Sequence, residues 1–473
     1  MNHGLCERVH NRAVTNDTQM RVRYRTPSPV WGDETAAVMA ALQWANQHTV
    51  VATDPKTTAR PASELHEAIG ETITPAGIGW AEAITIFDEI AVKATRAQDD
   101  PYNLAFIPAA PTRAAVAFDS VVSSANIFGG MWDAGSGAIH LENQALGWLI
   151  GLLDWPETAA GCFVSGGTIG NLSALTAARH RARTRGERPA SGWKIAASAG
   201  AHSSIAGAAA VLDVDIVWVP VDERGHMTGA ALRAAIENEE GVFAVVASAG
   251  TTNIGIIDDL ADIADVAEEH DLWMHVDGAY GGAALASRTA RPLFNGIERA
   301  DSFIVDPHKW LFAPYDCCAL IYRDAAAAHA AHAQHASYLD AIDRTQSNPA
   351  DLAIHLSRRT RGLPLWYSLA VHGTNRYEEA IDRCMQAARR TAAGIAELEH
   401  LELLVEPELT VVTFRRRGWD AAAHLEWSNR MAHDGVIFIV PTALNGESVL
   451  RLVIVNPETD PRQILRVLDH TMR

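Results

Sequence analysis

The chain has 473 residues, of which 48% are hydrophobic and 20% charged, and its formal net charge is −18 at pH 7. This length predicts more than one compact unit, and so negative a chain is poorly suited to bind nucleic acid or an anionic membrane surface. Its five cysteines form no CxxC pair, which argues against a zinc ribbon or a disulfide framework. With no long apolar segment, the sequence predicts a cytoplasmic protein.

The pattern of hydrophobic and turn-forming residues divides the chain into three segments. In residues 1–96 it predicts a polar, mobile arm over about the first thirty residues, followed by helices separated by turns and no strands. Residues 97–325 predict a large α/β domain. Residues 326–473 predict a loop region and a smaller α+β C-terminal domain, with strands near 409–414 and 449–455.

Short apolar runs alternate with amphipathic helical stretches in the central segment. Short runs that are mostly apolar are typical of strands buried on both faces of a sheet. Helices are predicted at 171–184 and 260–270. The predicted strands are 193–197, 214–219, 243–248, 272–276, 302–305 and 319–322.

Three histidines near the end of this segment are spaced like one face of a helix, as metal ligands can be. They are His329, His332 and His335. Because no carboxylate or cysteine accompanies them, we expect an exposed alanine-rich helix and no metal site.

A lysine follows directly after the predicted strand 302–305. Lys309 stands in the run Asp306-Pro307-His308-Lys309-Trp310, so it should project from the carboxyl end of a strand, where open α/β sheets bind ligands. A single lysine is usually a solvated surface residue. Its significance depends on which other residues share that edge of the sheet.

An aspartate ends another predicted strand. Asp277 is followed by small residues that would let a flat ring come close. A carboxylate at this place can keep a pyridine nitrogen protonated, and the protonated ring then accepts electrons from a carbanion. His202, after a further predicted strand, could stack over the same ring.

A glycine-rich turn precedes the helix predicted at 171–184. Gly167 and Thr168 lie in the run Ser165-Gly166-Gly167-Thr168-Ile169-Gly170-Asn171. Backbone N–H groups at such a helix start can bind a phosphate. The turn lacks the Lys-Ser/Thr ending of a nucleotide-binding P-loop.

Taken together, these motifs resemble those of the group II pyridoxal-phosphate-dependent amino-acid decarboxylases, relatives of the aromatic-amino-acid and glutamate decarboxylases. The most specific pieces are the runs at 275–280 and 307–310, and the order of the motifs. The resemblance implies a fold-type-I PLP-dependent transferase fold (aspartate aminotransferase-like): an α/β large domain with a mostly parallel sheet and a smaller α+β C-terminal domain. It also implies pyridoxal 5′-phosphate as cofactor, an amino-acid substrate and a homodimer.

The activity implied is decarboxylation of an L-amino acid to an amine, through an imine on Lys309 and a quinonoid carbanion. The predicted catalytic residues are Lys309, His202, Asp277 and His308. The predicted cofactor-binding residues are Gly167, Thr168, His202, Thr252, Asp277, Ala279, Asp306, His308 and Lys309. Predicted substrate contacts are Phe106, Ile107, Pro108 and, from a second subunit, Phe128. These apolar residues favour an aromatic or bulky aliphatic substrate over an acidic one, since no arginine or lysine is identified for the pocket.

The loop before the Arg358-Arg359-Thr360-Arg361 run departs from the family pattern. Members usually carry a tyrosine there that protonates the carbanion after carbon dioxide leaves, and residues 340–351 contain none. Tyr338, His355 and His308 stay open as donors.

Several alternatives therefore remain at this point. In this family, loss of the loop tyrosine is associated with decarboxylation-dependent oxidative deamination to an aldehyde. An aminotransferase or lyase, with Arg451 binding the α-carboxylate, and a non-catalytic relative are the others. The substrate itself is not determined by the sequence.

Overall fold

The computed structural model describes residues 28–52, 54–56, 58–333, 346 and 348–473. Most of the predicted arm, together with His335, Tyr338 and residues 340–345 of the tyrosine-free interval, lies outside these residues. None of the helices in the described ranges is long and apolar enough to cross a membrane.

The chain begins with helices that stay near the surface. No residue of the first three is buried, and a π-helical turn, Phe87–Val92, extends the third. The fourth starts after Thr112, whose side chain accepts a hydrogen bond from the Ala115 N–H and so caps the helix. These helices are α1 (Thr35–Val50), α2 (Ala62–Ile69), α3 (Trp80–Ile86), α4 (Arg113–Ala125) and α5 (Trp132–Leu152).

A seven-stranded sheet forms the centre of the molecule, in the order β1-β7-β6-β5-β4-β2-β3. Only β7 runs against the others, which confirms the predicted mostly parallel sheet. All six predicted strands occur with small shifts at their ends, and β1 was not predicted. The strands are β1 (Ala160–Val164), β2 (Lys194–Ser198), β3 (Asp215–Val219), β4 (Val242–Ser248), β5 (Trp273–Asp277), β6 (Ser302–Val305) and β7 (Cys318–Tyr322).

Helices connect the strands and cover both faces of the sheet, as parallel strands require. They are α6 (Gly167–Arg185), α7 (Ser203–Leu212), α8 (Gly229–Ile236), α9 (Leu260–Glu269), α10 (Pro307–Trp310) and α11 (Ala325–His332). Short 3₁₀ turns occur at Gly281–Ala286, Arg291–Phe294, Ile297–Arg299 and Pro349–Asp351.

The alanine-rich helix α11 is not the exposed helix that we expected. It packs against α6, and His332 is only 7% exposed, with Nε2 3.1 Å from the Ser173 carbonyl oxygen. The expectation overlooked that the small alanine side chains let two helices approach closely.

The C-terminal part is built on an antiparallel sheet of order β10-β11-β9-β8. Its strands β9 and β11 correspond to the two predicted ones, whereas β8 and β10 were not predicted. The elements are α12 (Leu363–His372), α13 (Thr374–Glu397), β8 (Leu401–Val405), β9 (Val411–Arg416), α14 (Ala421–His433), β10 (Val440–Leu444), β11 (Glu447–Val453) and α15 (Pro461–Thr471).

One early segment joins the two sheets. The Leu104 N–H donates to the Phe438 carbonyl at 2.9 Å, and the Val453 N–H donates to the Leu104 carbonyl at 2.9 Å. The residues just after Leu104 are thereby held between the C-terminal sheet and the carboxyl ends of the parallel strands.

Candidate active site

Lys309 projects from the turn that follows β6. Its Nζ lies 2.9 Å from Asp306 Oδ2, and His308 Nε2 lies 3.6 Å from the same oxygen. Burial disfavours the ammonium form, but Asp306 and then Asp277 outweigh it, so the pKa of Lys309 is raised. The lysine is therefore a cation in the protein alone, ion-paired with the Asp306 carboxylate.

Asp277 lies at the end of β5, the strand next to β6, so its carboxylate opens at the same edge of the sheet. Asn171 Nδ2 donates to Oδ2 at 2.9 Å, and the Ala279 N–H donates to Oδ1 at 3.1 Å. These two hydrogen bonds fix the orientation of the carboxylate toward the space beside Lys309.

His202 caps the first turn of α7. Its Nδ1 accepts the Ser204 N–H at 3.1 Å and lies 2.8 Å from Ser204 Oγ. Since Nδ1 is occupied by these contacts, the face of the imidazole ring is left to the cavity.

The glycine-rich turn places the start of α6 opposite these groups. A Cβ on Gly167 would lie 3.2 Å from Asp306 Oδ2 and 3.3 Å from the Ala279 Cβ, so a side chain there would crowd the site. The positive end of the helix dipole and free N–H groups are the features that bind phosphate at helix starts.

All of these groups line one cavity of about 520 Å³. The predicted residues that line it are Gly167, Thr168, His202, Thr252, Asp277, Ala279, Asp306, His308, Lys309, Phe106 and Ile107. Pro108 and Phe128 are not among its lining residues. The donor set fits pyridoxal phosphate: an amine, a carboxylate at a strand end, an imidazole and a side-chain-free helix start.

Arg451, from β11 of the C-terminal sheet, also lines the cavity. Its Nε donates to the Thr252 carbonyl at 2.8 Å, its Nη1 donates to the Phe106 carbonyl at 2.9 Å, and the residue is 4% exposed. Burial lowers its pKa to about 10, which leaves it charged at neutral pH. The sequence alone identified no arginine for a decarboxylase pocket, and the structure places Arg451 there.

One nitrogen of the Arg451 guanidinium can still donate a hydrogen bond to a ligand. Arg451 Nη2 is buried and has no hydrogen-bond partner within the described ranges. The guanidinium therefore both holds the backbone of Phe106 and keeps one donor group unused.

Tyr315 and Asp316 are two further lining residues that sequence reasoning missed. The Tyr315 and His308 rings lie 4.9 Å apart, and burial raises the pKa of Tyr315 although the Lys309 charge opposes the shift. Asp316 accepts a hydrogen bond from Arg361 Nη1 at 2.5 Å. Their proximity to Lys309 in sequence was the signal that could have identified them.

The proposed proton donors differ in placement. His308 lines the cavity, and its pKa is lowered by burial, which outweighs the opposing effect of Asp306. His355 is not a lining residue, and burial together with the nearby arginines lowers its pKa to about 4. Tyr338 lies outside the described residues.

Comparison with known proteins decides the family. The pattern of the Pyridoxal-dependent decarboxylase conserved domain matches residues 80–417. The chain belongs to this family. The family, the cofactor pyridoxal 5′-phosphate and the enzyme class predicted from sequence are thereby confirmed.

Two relatives of this pyridoxal-dependent decarboxylase cover most of it. An aromatic-L-amino-acid decarboxylase of Bacillus atrophaeus is 31% identical over 432 residues, covering 86% of this chain and 89% of the relative. An L-2,4-diaminobutyrate decarboxylase of Rhizobium meliloti (strain 1021) is 31% identical over 407 residues, covering 83% and 81%.

A solved structure confirms the fold. The crystal structure of Oryza sativa TDC with PLP and tryptamine superposes with a TM-score of 0.85, at 24% identity, covering 94% of this chain and 99% of that one. Together with the family match, this makes the protein a fold-type-I, PLP-dependent amino-acid decarboxylase, in place of the aminotransferase and non-catalytic alternatives.

Proposed function

We propose that this decarboxylase converts an L-amino acid and a proton into carbon dioxide and the corresponding primary amine. The observation that supports the proposal is the convergence of Lys309, Asp277, His202 and the start of α6 on one cavity. Each of the four comes from a different strand end or helix start. Their meeting is what a cofactor with an aldehyde, a ring nitrogen and a phosphate requires.

Four groups of the chain would hold the cofactor. Lys309 would bind its aldehyde carbon, Asp277 its ring nitrogen, His202 its ring face, and Gly167 with Thr168 its phosphate. Thr252 and Ala279 line the same space. When bound, pyridoxal phosphate supplies an electron sink for the electron pair left at the α-carbon as carbon dioxide leaves.

The chain's own residues then orient the substrate. Phe106 and Ile107 offer apolar surface, while Arg451 Nη2 and the Tyr315 hydroxyl are polar groups beside it. Loss of carbon dioxide requires the α-carboxylate to stay free of strong donors, so we propose that Arg451 contacts the substrate side chain. This adds polar or acidic side chains to the aromatic and aliphatic ones considered first.

The second half of the reaction needs a proton at the α-carbon. We propose His308 or Tyr338 as its source, because His308 lines the cavity and Tyr338 precedes the tyrosine-free interval. If neither delivers it, dioxygen can oxidise the carbanion. The amino acid, O₂ and H₂O then give an aldehyde, NH₃, CO₂ and H₂O₂.

Product analysis separates these outcomes. The PLP-loaded protein is incubated with L-tryptophan, L-phenylalanine, L-2,4-diaminobutyrate and L-glutamate, with and without oxygen, and amine, aldehyde, ammonia and peroxide are measured. Amine in equal yield under both conditions is expected. Aldehyde and peroxide that form only with oxygen would replace the amine proposal by the oxidative one.

Tyr338→Phe and His308→Gln identify the proton source. The variant that lacks the donor should lose amine and gain oxygen-dependent aldehyde. If both variants still form amine at the wild-type rate, neither residue is the donor.

The lysine assignment has its own test. PLP bound to wild-type protein should show the visible absorbance of an imine, and Lys309→Ala should lack it. The matched control is Lys194→Ala, which removes a lysine ion-paired with Glu239 at 2.6 Å, away from the cavity. An unchanged imine band in Lys309→Ala would contradict the assignment.

We also propose that the protein is a homodimer. Helices α1 to α3 bury none of their residues in the single chain. Large apolar side chains in or next to these helices are exposed: Ile73 at 90%, Trp31 at 76%, Trp80 at 49% and Phe87 at 46%. Apolar surface of this extent marks a covered face. A second copy would also bring Phe128, 36% exposed, toward a pocket that it does not reach in its own chain.

Light scattering checks the dimer. A mass of twice 51.0 kDa is expected. Trp80→Glu with Phe87→Glu should reduce it to one chain, whereas Trp218→Glu, at a residue 51% exposed on β3, should not. A wild-type monomer would contradict the proposal.

Two further proposals concern organisation and location. We propose the division into residues 1–96, 97–325 and 326–473, supported by separate sheets within residues 160–322 and 401–453. We propose a cytoplasmic location, because Cys162, Cys317, Cys318 and Cys384 are buried free thiols. Limited proteolysis and cell fractionation test them.

A further inference from the structure

Asn171 lies at the junction of two groups that would contact the cofactor. It is 1% exposed, and its Nδ2 donates to Asp277 Oδ2 at 2.9 Å and to Ser204 Oγ at 2.9 Å. The two N–H bonds of one amide thus serve two partners. The reversed amide would place its oxygen against the Asp277 carboxylate, so the hydrogen bonds themselves determine the orientation.

The branch through Ser204 leads to His202. Ser204 Oγ accepts from Asn171 and so can donate its own O–H to His202 Nδ1, 2.8 Å away. The Ser204 N–H also donates to that nitrogen at 3.1 Å. His202 Nδ1 is therefore an acceptor, and the ring orientation is set by the position of Ser204.

The other side of the Asn171 amide is held by a buried chain of donors. His275 Nε2 lies 2.8 Å from Asn171 Oδ1, which can only accept. His275 Nδ1 lies 2.8 Å from Ser302 Oγ, and Trp273 Nε1 donates to that oxygen at 2.7 Å. When His275 is neutral and donates through Nε2, its Nδ1 accepts from the Ser302 hydroxyl. The hydrogen bonds from Trp273 through Ser302, His275 and Asn171 then all donate in the direction of Asp277.

His275 contributes no charge to this chain. The residue is fully buried, and burial lowers its pKa to about 4, although the nearby Asp277 charge opposes the shift. A neutral imidazole with its proton on Nε2 agrees with the direction of donation. A cation there would compensate the charge of Asp277 and weaken its attraction for a protonated ring nitrogen.

We infer that Asn171, held by His275, is a positioning residue that orients Asp277 and His202 together. The inference rests on the proposed contacts of those two residues with the cofactor. In this arrangement the Asn171 amide aligns both Asp277, at the edge of the cofactor ring, and His202, on the face of that ring.

The test compares three variants loaded with PLP. Asn171→Leu keeps the approximate size but removes the amide. Ser173→Ala, two residues further along α6, removes a fully buried hydroxyl that accepts only a 3.4 Å hydrogen bond from the Ile354 N–H. Ser204→Ala removes the hydroxyl that joins Asn171 to His202 and leaves the Ser204 N–H bonded to His202 Nδ1. Dissociation constants for PLP, visible circular dichroism of the bound cofactor and thermal melts are measured.

Asn171→Leu is expected to weaken PLP binding by about 10- to 100-fold, as loss of a hydrogen bond to a charged group predicts, and to alter the circular dichroism band. Ser204→Ala should alter the band with a smaller loss of affinity. Ser173→Ala should change neither, whatever its melting temperature. Binding that follows the melting temperatures instead would indicate a merely structural role.

The inference is overturned if folded Asn171→Leu retains wild-type affinity and circular dichroism. Should Asn171→Leu fail to fold, an unaltered band in Ser204→Ala overturns it. A wild-type protein that forms no imine band with PLP would instead overturn the proposed function, so the two failures are distinguishable.

Discussion

The two sides of the cavity are built differently. The side that we propose for the cofactor (the cofactor side), comprising Gly167, His202, Asp277, Asp306 and Lys309, comes from strand ends and helix starts of the mostly parallel sheet. The substrate side, comprising Phe106, Ile107, Tyr315 and Arg451, draws on an early segment, a turn and the C-terminal sheet. Because parallel strands end at a common edge, short motifs predict the first side, whereas the second depends on packing between remote segments.

The largest effect on activity is expected from a substitution on the cofactor side, at Asp277. Asp277→Asn removes the charge that faces the ring nitrogen and should reduce kcat by about 100- to 1,000-fold. The control is Asp258→Asn, at a carboxylate that is 2% exposed and accepts the Ser248 and Met227 N–H groups at 2.7 and 2.8 Å, outside the cavity. It should reduce stability and leave kcat of the folded fraction intact. Similar kcat losses in both would remove the distinction between the two carboxylates.

The free energy of unfolding should depend on pH because of His275, which lies behind the cofactor side. The pKa of His275 falls from 6.5 to about 4 on folding, so the unfolded chain binds more protons between these values. Stability from this group is therefore present above pH 6.5 and is lost as the pH falls through 4, by about 3 kcal/mol in total. Denaturant unfolding of the wild type and His275→Gln at several pH values measures it.

The variant comparison isolates this histidine. Burial also lowers the pKa of His332 and His355 to about 4, so the wild-type slope contains their contributions too. The slope should be smaller in His275→Gln. Equal slopes would show that His275 is not buried as a neutral ring.

The substrate side should respond in a different parameter. Arg451→Lys keeps the charge but cannot donate to the Thr252 and Phe106 carbonyls together. We expect KM for the amino acid to rise about tenfold, with the dissociation constant of PLP nearly unchanged. A loss of PLP affinity equal to the rise in KM would show that the two sides are not separate.

The smallest expected effect is on PLP affinity, in a comparison of substitutions at two neighbouring glycines. An alanine Cβ at Gly167 would meet Asp306 Oδ2 at 3.2 Å, whereas at Gly166 it meets nothing closer than His308 Cε1 at 3.8 Å. Gly167→Ala should weaken PLP binding about fivefold, equivalent to about 1 kcal/mol of crowding. Titration of apoprotein with PLP should show no change for Gly166→Ala. Equal losses would mean that the turn tolerates no side chain anywhere.

The sequence could predict that most residues of the cofactor side lie together, because they stand in short motifs directly after strands. Lys309 and Asp277 each follow an apolar strand directly, and hydrophobic runs identify such strands well. Arg451 was noticed only as a possible aminotransferase residue, since nothing local shows that β11 reaches this cavity. Tyr315 was missed although it lies six residues beyond Lys309, because the chain reverses direction there before β7.

The fold shows the same limits. Strands in the middle of the large sheet were predicted because they are buried on both faces. Strands β8 and β10 mix apolar and polar residues at partly exposed positions, so no continuous apolar run marked them. The burial of His332 was missed because it depends on α11 meeting α6, which no pattern within α11 records.

The position of Arg451 on a separate sheet has an evolutionary consequence. Substitutions on β11 can change the reach and polarity of a donor in the cavity without altering any strand end that carries Asp277 or Lys309. If Arg451 contacts the substrate side chain, as we propose, natural selection can change the preferred substrate while the residues around Lys309 stay the same.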